Sequence, residues 1–191
     1  MTTDELYARF VSRAGLASSH SVRELAEAIR RIPHGRPSAR TAEAVVEDWR
    51  GTCSTKHLLL RALRPDLDVR FVNRVFTLTP GRARARLGDE VARVVPPEGM
   101  PDVHTYATIS LDGRRVRVDL TFAGEPWDGM SDMPIPWADG VDQGGGSDPI
   151  ASKDRLVAAL GAEDAKQRLV EALSLQRTWS GQSQREQRGD I

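Results

Sequence analysis

The tightest constraint on the fold is the stretch VHTYATISL-DG-RRVRVDLTF, Val103 to Phe122. Two alternating runs flank Asp112-Gly113, and Asp-Gly between such runs is the strongest short-range signal for a β-hairpin with a two-residue turn. Pairing Leu111 with Arg114 sets the register. Counting outward then puts His104 opposite Thr121, with Asp119 two positions along from that partner. Opposed residues share a face, as do residues two apart, so His104 and Asp119 are expected as diagonal neighbours. Their Cα atoms would lie roughly 7–8 Å apart, within reach for an imidazole and a carboxylate. A four-residue loop on the same centre keeps this parity and a three-residue loop destroys it. Val116, Val118, Leu120 and Phe122 take one face of the second strand. Arg115, Arg117, Asp119 and Thr121 take the other, a polar face on which a solvated His and Asp would be ordinary.

Helices are expected around this hairpin. Ser21 and Glu24 have capping-box spacing, and Val22, Leu25, Ala26 and Ile29 fall on one face, which predicts a helix over 21–32. A weaker helix precedes it over 4–12. PHGRPSAR is a loop by its Pro and Gly content, and TAEAVVEDW is a short helix that ends before Gly51. The run KHLLLRAL, with Leu58, Leu59, Leu60, Ala62 and Leu63, leaves few faces polar and reads as a core helix ended at Arg64-Pro65. DVRFVNRVFTLT has the composition of a strand.

PGRARARLGDEVARVVPPEGMP is polar and bounded by prolines, and is expected as a surface excursion. The Pro-, Gly- and Asp-rich segment 123–150 is expected as a loop or lid, its Trp127 and Trp137 bordering a substrate cleft. Its aspartates do not match a calcium-loop pattern. Two helices follow, over 152–160 and 163–177, and the tail GQSQREQRGDI has nothing to bury. The expectation is a single α+β domain over 1–180. It has N-terminal helices (1–48), a core with a Cys-bearing helix on an antiparallel sheet (49–122), the loop (123–150), C-terminal helices (151–179) and a disordered tail (181–191).

At 191 residues and 39% hydrophobic, the chain is long enough to bury a core. A formal net charge of +0 removes any general argument for nucleic acid or an anionic membrane surface. No apolar run approaches the ~20 residues of a membrane span, and MTTDELYARF lacks the layout of a secretion signal. One cysteine gives neither a disulfide framework nor a multi-cysteine metal site, and suits a reducing cytoplasm. No cofactor is called for, and the sequence carries no signal for an oligomeric state.

That cysteine lies in WRGTCSTKHLLLRAL, Trp49 to Leu63, just after a glycine and at the start of the core helix. A lone cysteine is usually a small buried hydrophobe. At a helix N-terminus, however, unpaired amides and the positive end of the dipole favour a thiolate, and a nearby imidazolium lowers the thiol pKa further. Cys53, His104 and Asp119 therefore supply a nucleophile, a base and an orienting carboxylate, the parts of thiol acyl transfer. His57 lies one turn deeper on the helix, on the same face as Cys53. A Cys-x3-His metal pair would need two further ligands that are not evident, so His57 reads as a core histidine or one supporting the site. Lys56 is one turn from the thiol. It could support a thiolate or bind a substrate carboxylate, although a solvated lysine is the ordinary reading.

At these residues the chain resembles the transglutaminase-like superfamily. GTCSTKHLLLRAL resembles the family's cysteine-helix segment, and DVHTYATISLDGRRVRVDLTF its histidine strand, hairpin and aspartate strand. The likeness covers Trp49 to Phe122, and its specific parts are the order Cys, His, Asp and the fifteen-position step from His104 to Asp119. It implies Cys53 as nucleophile, His104 as general base and acid, and Asp119 as the residue holding the imidazole. The Cys53 amide would be one oxyanion donor. Related thiol enzymes often use an upstream glutamine as the second donor, but the first glutamine here is Gln143, which leaves the Trp49 indole N–H as a candidate, with an aromatic plug in the core as its equally good alternative. The implied function is acyl transfer through a Cys thioester on an amide, peptide or thioester substrate, ending in hydrolysis or transamidation. WRGTC is also similar to the RGGxC segment of arylamine N-acetyltransferases, although that family carries a further domain where two helices follow here. An acyltransferase of specialised metabolism drawing on a carrier thioester, and a non-catalytic binding domain of the same fold, are the remaining alternatives.

Overall fold

The computed structural model describes residues 1–122 and 139–175. It is an α+β fold. Among the described residues, eight α-helices surround a four-stranded antiparallel sheet of order β3-β2-β1-β4. Three N-terminal helices come first: α1 (Thr3–Ala14), α2 (Val22–Arg31) and α3 (Ala42–Asp48). The capping box before α2 forms as its sequence predicts, with Glu24 N–H donating to Ser21 Oγ at 3.2 Å and Ser21 N–H to Glu24 Oε2 at 2.7 Å. Then follow α4 (Cys53–Leu63) and β1 (Arg70–Leu78).

The hairpin joins β2 (Met100–Leu111) to β3 (Arg114–Val118), with Leu111 paired to Arg114 and Ala107 to Val118. Asp112 and Gly113 both have positive φ, 49° and 75°, the primed-turn geometry that matches strand twist. The ladder stops at Val118, short of the expected His104–Thr121 pair. The chain beyond it turns to meet α4 instead, where Leu120 N–H donates to His57.

Two large apolar cores border the sheet, beside a smaller cluster of Val103, Val157 and Ala162. The first gathers Phe10, Leu25, Ile29, Val45, Leu59 and Leu60 from α1 to α4 against Ile109, Val118 and Leu120. The second corrects an expectation. The stretch after β1 is no surface excursion but the helices α5 (Pro80–Leu87) and α6 (Asp89–Ala92). Ala83, Leu87, Val91 and Val95 recur at every fourth position and pack with Phe76, Leu78, Met100 and Leu169. Arginines between them mask that stripe, and they lie on the solvent side of the helix.

The expected loop 123–150 is corrected in part. Val141–Gly144 forms β4, an edge strand paired to β1, and α7 (Pro149–Ala159) already begins at Pro149. Glycines flank β4 because there is no space for more: a Cβ on Gly140 would meet Arg74 Cγ at 2.5 Å, and one on Gly145 would meet Phe71 Cβ at 2.6 Å. Helix α8 (Glu163–Leu175) completes the described fold. Trp127, Trp137 and the tail 181–191 lie outside the described residues. No described helix is long and apolar enough to cross a membrane.

Candidate active site

The approach to Cys53 is fixed by backbone. Trp49 ends α3 in the left-handed region (φ 51°) and redirects the chain. Gly51 is then stitched to the preceding loop, its N–H donating to Pro33 O at 3.0 Å and its carbonyl accepting from Gly35 N at 3.2 Å. Thr52 N–H donates to Thr55 Oγ1 at 2.9 Å, which tightens the first turn of α4. Cys53 is the first residue of that helix, so its amide belongs to the N-terminal group that has no intrahelical acceptor.

The predicted pairing of His104 and Asp119 is present. Nε2–H of His104 donates to Asp119 Oδ2 at 2.6 Å, and both side chains are largely buried, at 8% and 11% exposure. The other carboxylate oxygen accepts from Thr121 N–H at 3.0 Å and from Thr121 Oγ1 at 2.6 Å. With Nε2 committed to Asp119, Nδ1 is the nitrogen left free, and His104 and Cys53 each favour the charged form of the other.

Sequence reasoning missed Lys153, a buried lysine on α7 whose Nζ lies 2.8 Å from Cys53 Sγ. A chain of hydrogen bonds holds the two helices in that relation. Ser54 Oγ and Thr105 Oγ1 are 3.0 Å apart, Thr105 donates to Asn73 Oδ1 at 2.8 Å, and Asn73 Nδ2 donates to Ser152 Oγ at 3.2 Å. It runs from the neighbour of Cys53 on α4, across β2 and β1, to the neighbour of Lys153 on α7. Nothing in the run ASKDRL marks its lysine as different from a solvated one.

Burial and charge oppose one another at the sulfur. Burial by itself would raise the thiol pKa. The Lys153 charge and the hydrogen bond and charge of His104 prevail and hold it well below the ordinary value. Burial would lower His104, but the charge and hydrogen bond of Asp119, together with Cys53, raise it to about 9. Burial would raise Asp119, and the His104 charge and hydrogen bond keep it well below the usual carboxylate range. The site thus joins a thiol pKa held low to an imidazole pKa held high, and burial lowers Lys153 against the opposing pull of the Cys53 charge.

Beside the sulfur opens a cavity of about 400 Å³, bounded by the loop after α2, the start of α4, and helices α7 and α8. Two contacts brace its rim. Arg36 donates to Gln167 Oε1 at 2.6 Å, and Arg40 forks onto Asp154 at 2.7 and 2.8 Å.

The remaining sequence candidates separate. His57 supports the site. Its Nδ1 lies 2.6 Å from Cys53 O, and its Nε2 lies 3.0 Å from Leu120 N and 3.1 Å from Val118 O, so the ring clamps the Cys53 carbonyl to the segment bearing Asp119, while burial lowers its pKa. Lys56 is buried, which corrects its reading as a solvated lysine, and it does not line the cavity. It is 1% exposed and donates to Arg30 O at 3.0 Å and Thr121 O at 2.9 Å, while burial lowers its pKa to about 7. It thereby fixes Thr121, which in turn holds Asp119. Trp49 takes the second of its two readings, a core aromatic. It packs on Phe10, with ring centroids 5.9 Å apart, and under the Arg13 guanidinium at 5.1 Å, and it does not line the cavity.

Comparison of the chain with family models, with curated proteins and with solved structures returns no match.

Proposed function

We propose that this protein is an acyl-transfer enzyme with a cysteine nucleophile. More narrowly, we infer a transglutaminase-like enzyme that takes an acyl group from an amide, peptide or thioester onto Cys53 and passes it to water or an amine. One observation carries this reading: the His104–Asp119 hydrogen bond of 2.6 Å, formed beside the only sulfur able to serve as nucleophile.

The steps follow from the residues. The Cys53 thiolate attacks the carbonyl carbon, and the carbonyl π pair moves onto oxygen, which the Cys53 amide at the helix start can bind. His104, protonated, donates its proton to the leaving amine or thiol as the tetrahedral species collapses to a thioester. The acceptor then loses its proton to the neutral imidazole as it attacks, and the thiolate is expelled. Asp119 keeps the ring oriented and stabilises its charged form throughout. No cofactor enters these steps.

Intact-mass measurement after incubation with a panel of amides and thioesters tests the reading. The expected result is an acyl adduct on the wild-type protein that is lost in Cys53→Ala, with that variant still folded. Cys53→Ala with full turnover, or a wild-type thiol that resists iodoacetamide until the protein unfolds, would favour a non-catalytic binding domain instead.

A further inference from the structure

The site as described has one oxyanion donor, the Cys53 amide, and the sequence candidate for a second, Trp49, packs elsewhere. Gln143 is exposed on the edge strand β4, and Gln167 is engaged by Arg36. Lys153 remains. It lines the cavity, is 6% exposed, and directs its ammonium at the sulfur.

The electrostatics of the reaction decide what that ammonium does next. Among the described residues, its hydrogen-bond partner is Cys53 Sγ. Asp102, whose charge also acts on Lys153, is paired to Lys166, whose Nζ reaches Val103 O at 3.3 Å as well. Burial lowers the Lys153 pKa and the Cys53 charge opposes that, so the ammonium depends on an anion beside it. When sulfur bonds to the carbonyl carbon, the negative charge leaves sulfur and appears on the oxygen of the same tetrahedral centre. The cation that stabilised the first anion is then within a short swing of the second.

We propose that Lys153 is the second oxyanion donor of this site and hence one of its catalytic residues, an inference that rests on the acyl-transfer reading above. The Sγ–C bond forms and the C=O π pair moves onto oxygen. Nζ donates a hydrogen bond to that oxygen without giving up its proton, and collapse returns the pair to the carbonyl as His104 protonates the leaving group. Lys153 thus follows the charge from sulfur to oxygen, where a charged donor outweighs a neutral one.

Two reagents separate this role from simple ionisation of the thiol. Alkylation by iodoacetamide consumes the thiolate without forming an oxyanion, whereas acylation by p-nitrophenyl acetate passes through one. The quotient of acylation rate to alkylation rate at one pH cancels the thiolate fraction. In Lys153→Met this quotient should fall roughly 10²–10³-fold, the usual loss for one oxyanion donor. Lys153→Gln, which keeps an N–H donor, should lose less. The alkylation rate and near-UV circular dichroism report whether each variant is folded, and the glutamine variant carries the comparison if methionine disturbs α7. Should both rates fall in parallel and leave the quotient unchanged, Lys153 only ionises the thiol and the proposal is wrong. If the wild-type protein gains no acetyl group on Cys53, the acyl-transfer reading fails first and takes this inference with it.

Discussion

Asp119 is bonded in a way that only a carboxylate satisfies. One oxygen accepts two bonds from Thr121 and the other accepts His104 Nε2–H. In Asp119→Asn the amide oxygen stays with the two Thr121 donors and the NH₂ meets Nε2. That nitrogen must then accept, so the ring proton moves to Nδ1, the nitrogen otherwise left free, and the imidazole can no longer take a proton from the thiol. The expected loss in kcat/KM is on the order of 10²–10⁴-fold, with the protein still folded. The pH profile should move too. His104 stays protonated up to about 9 chiefly through the Asp119 charge, against burial. Rising pH removes the general acid, so wild-type turnover of an amide falls through that region. Without the carboxylate charge, burial dominates and the alkaline limb shifts to lower pH. An unchanged rate and limb would remove Asp119 from the machinery. This pair was legible in the sequence because a two-residue turn propagates parity along both strands. Thr121 as its anchor was not, because that bond forms where the chain has already left the ladder.

The start of α4 shows how an element is aimed. A glycine stands at position 51, two before Cys53, because a side chain has no room there: a Cβ would lie 2.8 Å from Lys56 Cγ, 3.3 Å from Thr55 Oγ1 and 3.4 Å from Val45 Cγ1. Gly51→Ala must push aside Lys56, whose ammonium ties Arg30 and Thr121. We expect a loss of about 1–3 kcal/mol in urea unfolding, the ordinary range for overpacking. An unshifted midpoint would mean that this junction yields freely. Elements with a strong local period were readable: α2 through Ser21 and Glu24, and the hairpin through Asp112-Gly113. Helices α5 and α6 were not, because RARAR dominates the composition while Ala83, Leu87, Val91 and Val95 carry the burial. Strand β4 has no pattern of its own and exists through its pairing with β1.

The two larger cores both draw on β2, through Ile109 in the first and Met100 in the second, and this predicts one cooperative transition. Ile29→Ala in the first core and Leu169→Ala in the second, both essentially inaccessible residues, should each cost about 2–5 kcal/mol. Both should lower a single melting transition by fluorescence and by circular dichroism alike. Two separated transitions, each moved by only one substitution, would show that the cores unfold independently. At this scale the sequence was least informative about the site. Cys53, His104 and Asp119 announce themselves by residue type and order. Lys153 stands 100 positions from the sulfur it touches, and only the docking of α7 on the sheet brings it there. That separation has a consequence for the newly made chain. A polypeptide emerging from the ribosome exposes the helix bearing its thiol long before the lysine has been translated. During that interval the sulfur lacks one of the neighbours that lower its pKa, so under the proposed function the nascent chain is held back from acyl transfer until α7 has docked.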